Sequence, residues 1–143
     1  MIYLDSCALV KLIRTERESE ALQEWLDERA ALPMVTSGVA QAEVPRVIRR
    51  NNHTERGELI DSAGLAAELA EAHDVLDAVD QVAVDHAILT RAGAIEQPMV
   101  RTLDAIHLVS ALELDAPELE FVTYDRALAR AAGHLGLRVS APR

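Results

Sequence analysis

The sequence predicts an α/β fold, a mainly parallel sheet flanked by helices, and three observations carry that expectation. Short apolar runs alternate with stretches of helical spacing along the whole chain, the pattern of strands joined by crossover helices. Two of those runs, Ile2-Tyr3-Leu4 and Phe121-Val122-Thr123, lead into an acid, Asp5 or Asp125, and then into helix-like sequence. With 143 residues, 50% of them hydrophobic, and only 6 Gly and 5 Pro, the chain has the size of one domain, 1–143, able to bury a core without disulfides or a structural metal.

Ile2, Tyr3 and Leu4 leave no room for a helix before them and form the first strand, which Asp5 breaks where Ser6 can cap a helix over 6–13. If this strand is central, Asp5 opens into the crevice beyond the carboxyl ends of the strands, where open α/β folds place their ligands. On this stretch alone, a turn-and-cap role for Asp5 and Ser6 is the simpler account. A polar connection, 14–17, leads to a helix over 18–31 with Ala21, Leu22, Trp25 and Leu26 on one face, stopped by Pro33. Residues 34–36 form a second strand, and Ser37 caps a helix from Gly38 towards Arg50. The apolar face of that helix, Ala40, Val44 and Val47, presses Glu43 towards the edge of the sheet. Pro45 predicts a kink just past Glu43, because an interior proline loses a backbone bond and costs about 3 kcal/mol.

Residues 51–54 read as a loop, and Thr54 starts a helix carrying Leu59, Ile60, Leu65, Leu69 and Ala70, with Gly64 weakening its middle. Residues 73–76 read as a short strand and 80–91 as a helix ending near Gly93. After a loop over 94–101 containing Pro98, Thr102 caps a helix over 103–114. Ile106, Leu108, Val109, Ala111 and Leu112 make that helix apolar on most sides, so it is buried. A strand over 119–123, a helix over 126–132 closed by Gly133 and Gly136, and a last strand over 137–139 complete the pattern.

Composition narrows the function. The formal charge of −10 has the wrong sign for blanket neutralisation of nucleic-acid phosphates, so any nucleic-acid role is local. Tyr3, Trp25, Phe121 and Tyr124, 3% of the chain, are too scattered for a base-stacking platform. One cysteine, Cys7, excludes an internal disulfide and a cysteine zinc site, and reads as a small buried side chain. Apolar runs are too short to span a membrane and the start lacks the pattern of a signal peptide, so a cytoplasmic protein is expected.

The chemistry lies in carboxylates. Asp5 and Asp125 end strands and begin helices, Asp104 opens the buried helix, and Glu43 lies in the helix after the second strand. In a parallel sheet these positions fall on one edge. Four carboxylates meeting there repel one another unless some take up protons or a hard divalent cation joins them, and oxygen ligands favour Mg²⁺ or Mn²⁺ over zinc. Such a site suits hydrolysis of a phosphodiester, with the hydroxyls of Ser6 and Thr123 orienting water or ligands. The plainer accounts are an N-cap for Asp125, a solvated acid paired with Arg46 for Glu43, and a satisfied core histidine for His107. Asp104 resists such an account, because a lone carboxylate on a buried face is costly.

Ile-Tyr-Leu-Asp-Ser at 2–6, Ala-Glu-Val at 42–44, Arg-Thr-Leu-Asp-Ala-Ile-His-Leu at 101–108 and Phe-Val-Thr-Tyr-Asp-Arg at 121–126 together resemble PIN domains, and more narrowly the VapC toxins of bacterial toxin–antitoxin systems. The resemblance covers nearly the whole chain in order. It implies a three-layer α/β/α sandwich, endonucleolytic cleavage of RNA, and Mg²⁺ or Mn²⁺ gathered by Asp5, Glu43, Asp104 and Asp125. It also implies two partners: a second copy of the chain, and a VapB antitoxin whose tail blocks the acidic groove. Arg46, Arg49 and Arg50, with Arg14 and Arg126, are the cations available to hold RNA or antitoxin.

Two other classes compete. Aspartate-based phosphatases and phosphoacceptor domains also place an Asp after the first strand, but the phosphatases want a second Asp where this chain has Cys7. Receivers want a lysine after the last strand of their site, and here the one lysine is Lys11 in the first helix. A non-catalytic module binding a basic peptide is the third reading.

Overall fold

A computed structural model describes residues 1–143. Five parallel strands form one sheet: β1 (Ile2–Leu4), β2 (Met34–Ser37), β3 (Asp80–Val82), β4 (Glu120–Val122) and β5 (Arg138–Ser140), in the order β3-β2-β1-β4-β5. The chain steps from β1 outward to β3, crosses back over the sheet to β4, and steps outward again to β5. The order therefore reverses between β1 and β4, and the crevice at their carboxyl ends is the switch point where open sheets bind ligands. Tyr3 pairs in register with Phe121, and Leu4 with Val122, which puts Asp5 and Thr123 side by side past the strand ends.

Seven helices cover the two faces. Because strand side chains alternate, Ile2 and Leu4 pack with α1 (Ser6–Ile13), α2 (Ser19–Asp27), α3 (Ala40–Asn51) and α4 (Ser62–Asp77). Tyr3 points the other way and packs with α6 (Thr102–Glu113) and α7 (Arg126–His134), while α5 (His86–Gly93) packs on α6. This is the expected three-layer α/β/α sandwich. No helix is long and apolar enough to cross a membrane.

Several local expectations are corrected. Asp5, not Ser6, caps α1, its carboxylate accepting from the Ala8 N–H at 2.8 Å. Ser37 belongs to β2, and its Oγ only accepts a long bond from the N–H of the N-cap residue Val39 at 3.4 Å, so α3 starts without a side-chain cap, as does α6 after Arg101. The helix expected from Thr54 is instead a tight turn, closed by Gly57 N–H donating to the Thr54 carbonyl with Gly57 at φ 82°, a left-handed conformation that glycine allows. The helix starts at Asp61, whose carboxylate lies where a Cβ on residue 64 would stand, 2.6 Å from Oδ2, so Gly64 accommodates the cap. Residues 73–76 are the last turns of α4, with Ala72 and Leu76 in the core at helical spacing. The third strand is Asp80–Val82, at the sheet's edge, where exposed Asp80 and Gln81 leave no apolar pattern to read. Helix α2 ends at Asp27, short of the expected 31, in a run of turns.

Candidate active site

The carboxyl ends of β1 and β4 open into a cleft of about 440 Å³ lined by Asp5, Glu43, Asp104 and Asp125, with Ser6 and His107 among its walls. All four acids singled out in the sequence face one space. Asp5 is buried and sits between the end of β1 and α1. Its Oδ1 accepts from the Ala8 N–H, and the Cys7 thiol donates across both oxygens at 2.9 and 3.0 Å. Burial raises the Asp5 pKa, against the hydrogen bonds from Cys7, Thr123 and Ala8. Cys7 is therefore a wall of the cleft rather than a core filler. Burial and the Asp5 charge push its thiol well up, so it stays protonated and is no nucleophile.

Glu43 points into the cleft at the carboxyl edge of the sheet, and the kink expected at Pro45 is absent. Helix α3 runs unbroken through Pro45, and the carbonyl that lost its bond belongs to Gln41, an exposed residue that water can satisfy. The Ser6 hydroxyl donates to Glu43 Oε2 at 2.6 Å, and His107 Nε2 lies 2.8 Å from the same oxygen. Burial alone would raise the Glu43 pKa. The hydrogen bonds from His107 and Ser6 outweigh it, and the net shift is downward.

Asp104, in the first turn of α6, is half-buried. Its pKa is raised, first by burial and next by the charge of Asp125, with Arg101 opposing and Glu43 adding to the effect. Asp125 is indeed an N-cap: Oδ1 accepts from the Ala127 and Leu128 N–H groups at 2.7 and 2.9 Å, and its own N–H donates to Thr123 Oγ1 at 3.1 Å. The cap role and the cleft role coexist because the cap uses one oxygen. Oδ2 of Asp125 and Oε1 of Glu43 accept nothing from the protein.

This donor set fits a hard cation. Oxygen ligands from four elements surround one cleft, two of the acids are held against their ionised form, and oxygens are left without protein partners. No three acid, His or Cys side chains form a ready-made cage. A cation held here would keep several waters and take one or two carboxylates directly.

The PIN domain family profile matches residues 2–134. This chain belongs to the PIN-domain family. Among curated relatives, Ribonuclease VapC35 of Mycobacterium tuberculosis (strain ATCC 25618 / H37Rv) is 42% identical over 144 residues, which is 99% of this chain and 97% of that protein. Ribonuclease VapC46 of the same strain is 41% identical over 141 residues, with the same coverage. The fold is shared with the crystal structure of VapBC2 from Rickettsia felis bound to a DNA fragment from their promoter, at TM-score 0.70, 12% identity and full coverage of both chains. FitAcB from Neisseria gonorrhoeae matches at TM-score 0.65 and 16% identity over 99% of this chain and 98% of that one.

The basic residues of this PIN domain differ in how they are engaged. Lys11, Arg14, Arg17, Arg29, Arg91 and Arg138 are all ion-paired, Arg14 with Glu68 at 2.6 Å, which takes Arg14 out of the set of free cations. Lys11 lines the cleft, but it is held by Glu18 and the Arg17 carbonyl over the Tyr124 ring. Arg46, Arg49, Arg50 and Arg101 form no ion pair, and they line a groove of about 1020 Å³ that joins the cleft at Glu43, Val47, Arg50 and Asp104. Arg126 stands apart from that groove, on α7 beside Asp125. Sequence reasoning missed Arg101, the residue just before α6, and weighed His107 as a core histidine, although its spacing of three from Asp104 puts the two on one face of α6.

Proposed function

We propose that this chain is a metal-dependent endoribonuclease, the toxin of a type II toxin–antitoxin pair, working as a single nuclease domain over 1–143. The observation that carries the reading is the meeting of Asp5, Glu43, Asp104 and Asp125 in one cleft at the sheet's switch point. Relatives named as ribonucleases, at 41–42% identity across almost the full length, support the substrate class. Those four acids would hold Mg²⁺ or Mn²⁺, which makes water nucleophilic at neutral pH and offsets charge growing on the phosphate. Around them, Ser6 fixes Glu43, and Thr123 braces Asp125 and Asp5. The scissile strand is held by Arg46, Arg49, Arg50 and Arg101, the unpaired cations that flank the cleft of an otherwise acidic chain.

The test is RNA cleavage by the purified chain with Mg²⁺ or Mn²⁺, with EDTA, and with an Arg46→Glu/Arg49→Glu variant. Cleavage is expected with either cation and none with EDTA. The double variant is expected to raise KM at least tenfold with kcat little changed, and to lower the salt slope of RNA binding by about 0.7 for each phosphate it no longer neutralises. Intact RNA under all cation conditions, with tight binding of a basic peptide, would favour the non-catalytic module.

The partners proposed are a cytoplasmic VapB-like antitoxin, whose basic residues suit the acidic cleft, and a second copy of the chain. Exposed Leu89, Met99 and Leu103, on α5, the following loop and the start of α6, supply an apolar surface for that copy. Light scattering should give twice the 15.6 kDa of one chain. A monomer at micromolar concentration that keeps full activity would remove the homodimer from the reading.

A further inference from the structure

We propose that His107, locked by Tyr3, is a positioning residue that aims Glu43 at the cleft, an inference that rests on the nuclease reading above. His107 is 2% exposed and both its ring nitrogens are engaged. Nδ1 lies 2.9 Å from the Tyr3 hydroxyl, and Nε2 lies 2.8 Å from Glu43 Oε2 and 3.0 Å from Ser6 Oγ. Tyr3 is itself immobile: it is fully buried, stacked on Phe121 with ring centroids 5.1 Å apart, and set edge-on to the His107 ring.

The direction of the bond that matters follows from its acceptor. A carboxylate oxygen only accepts, so His107 Nε2, 2.8 Å from Glu43 Oε2, carries the proton between them, beside the Ser6 hydroxyl that donates to the same oxygen. Nδ1, on the other side of the ring, faces the Tyr3 hydroxyl, which holds the imidazole in this orientation. Two donors thus fasten one oxygen of Glu43, and Oε1 is left without a protein partner. The arrangement supplies what α3 cannot. Pro45 removes the backbone bond to Gln41 two residues beyond Glu43, so the helix alone holds this turn less firmly than a regular one.

Three full-length variants test the assignment: Tyr3→Phe, which removes one hydroxyl and keeps the ring stacked; His107→Leu, which removes both hydrogen bonds; and His107→Gln, whose amide N–H restores a donor near the Nε2 position. Long-range ¹H–¹⁵N spectra of the imidazole in the wild-type protein should show a proton on Nε2, and a ring protonated at Nδ1 alone overturns the proposal with or without a metal. Mn²⁺ affinity, read by the spin-resonance signal of free Mn²⁺, is expected to fall tenfold or more in His107→Leu and several-fold in Tyr3→Phe, and to recover in His107→Gln. The kcat for RNA should follow the same order with KM little changed. Folded variants that bind Mn²⁺ and cleave like wild type would make His107 a packing residue only. Asp5→Asn is the control for the reading beneath: if wild type binds Mn²⁺ no better than Asp5→Asn, the metal site fails, while the tautomer still decides the role of His107.

Discussion

Asp104→Asn will lower RNA cleavage by more than about 100-fold, beyond the 10- to 100-fold typical of losing a group that merely supports a metal ligand, and will leave the metal-free protein at least as stable as wild type. The two halves of this expectation have one cause. Asp104 is half-buried, near Asp125 and Glu43, and the raised pKa of its carboxyl says that the fold disfavours the ionised form. Asparagine keeps the shape and removes the charge, so the repulsion disappears together with the ligand. Thermal melts in EDTA and single-turnover cleavage in Mn²⁺ measure the two effects separately. A variant that melts well below wild type would show Asp104 to be a structural cap, and one that cleaves within a few-fold of wild type would remove it from the machinery. Asp125 gives the contrast. Its Oδ1 caps α7 through two N–H groups, so Asp125→Ala is the acid change expected to lose stability as well, about 1 kcal/mol for a lost N-cap.

How much of this was legible in the sequence depends on whether the cause was local. Asp5 and Asp125 were legible because a strand that stops at an acid and turns into a helix is a local event, and the parallel architecture then puts both on one edge. Asp104 was legible because its helix is apolar nearly all round, so a carboxylate there needs a reason. Glu43 was legible as a residue but not in its aim. The groups that turn it inward, Ser6 and His107, lie 37 and 64 residues away, and the Tyr3 that fixes His107 lies 104 residues from it. Weighed alone, a buried histidine reads as a satisfied core residue, and His107 is one; what satisfies it is the site. Strand β3 was missed for a different reason. An edge strand of three residues with two exposed polar side chains has no periodicity, and it is its pairing with β2 that makes it a strand. The charge balance was informative only in outline. That Arg46, Arg49, Arg50 and Arg101 stand unpaired beside an acidic cleft, in a chain of net charge −10, shows only when the ion pairs of the other basic residues are known.

Adding Mg²⁺ or Mn²⁺ will raise the melting temperature more at pH 7.5 than at pH 4.5, and withdrawing it with EDTA will abolish cleavage. The folded pKa values of Asp5 and Asp104 lie above their unfolded values. Their contribution to stability is therefore fully present below the unfolded pKa, near 3.9, and is lost as pH rises through the folded pKa. Glu43 has the opposite sign: its pKa is lowered, so its contribution is present above the unfolded value and lost as pH falls through the folded one, outside this window. As pH rises through those folded values the metal-free cleft thus costs stability as Asp5 and Asp104 ionise. A cation needs those same carboxylates ionised, so its affinity grows over the same range, and at a hundred times Kd it contributes about 2.7 kcal/mol. Groups remote from the cleft titrate equally with and without metal and cancel in the difference between the two melts. An equal metal-induced shift at both pH values would mean that the cation binds elsewhere. In Asp104→Asn the metal-free decline should shrink and the metal-induced shift should fall at pH 7.5, because one substitution removes both a source of the repulsion and a ligand that answers it.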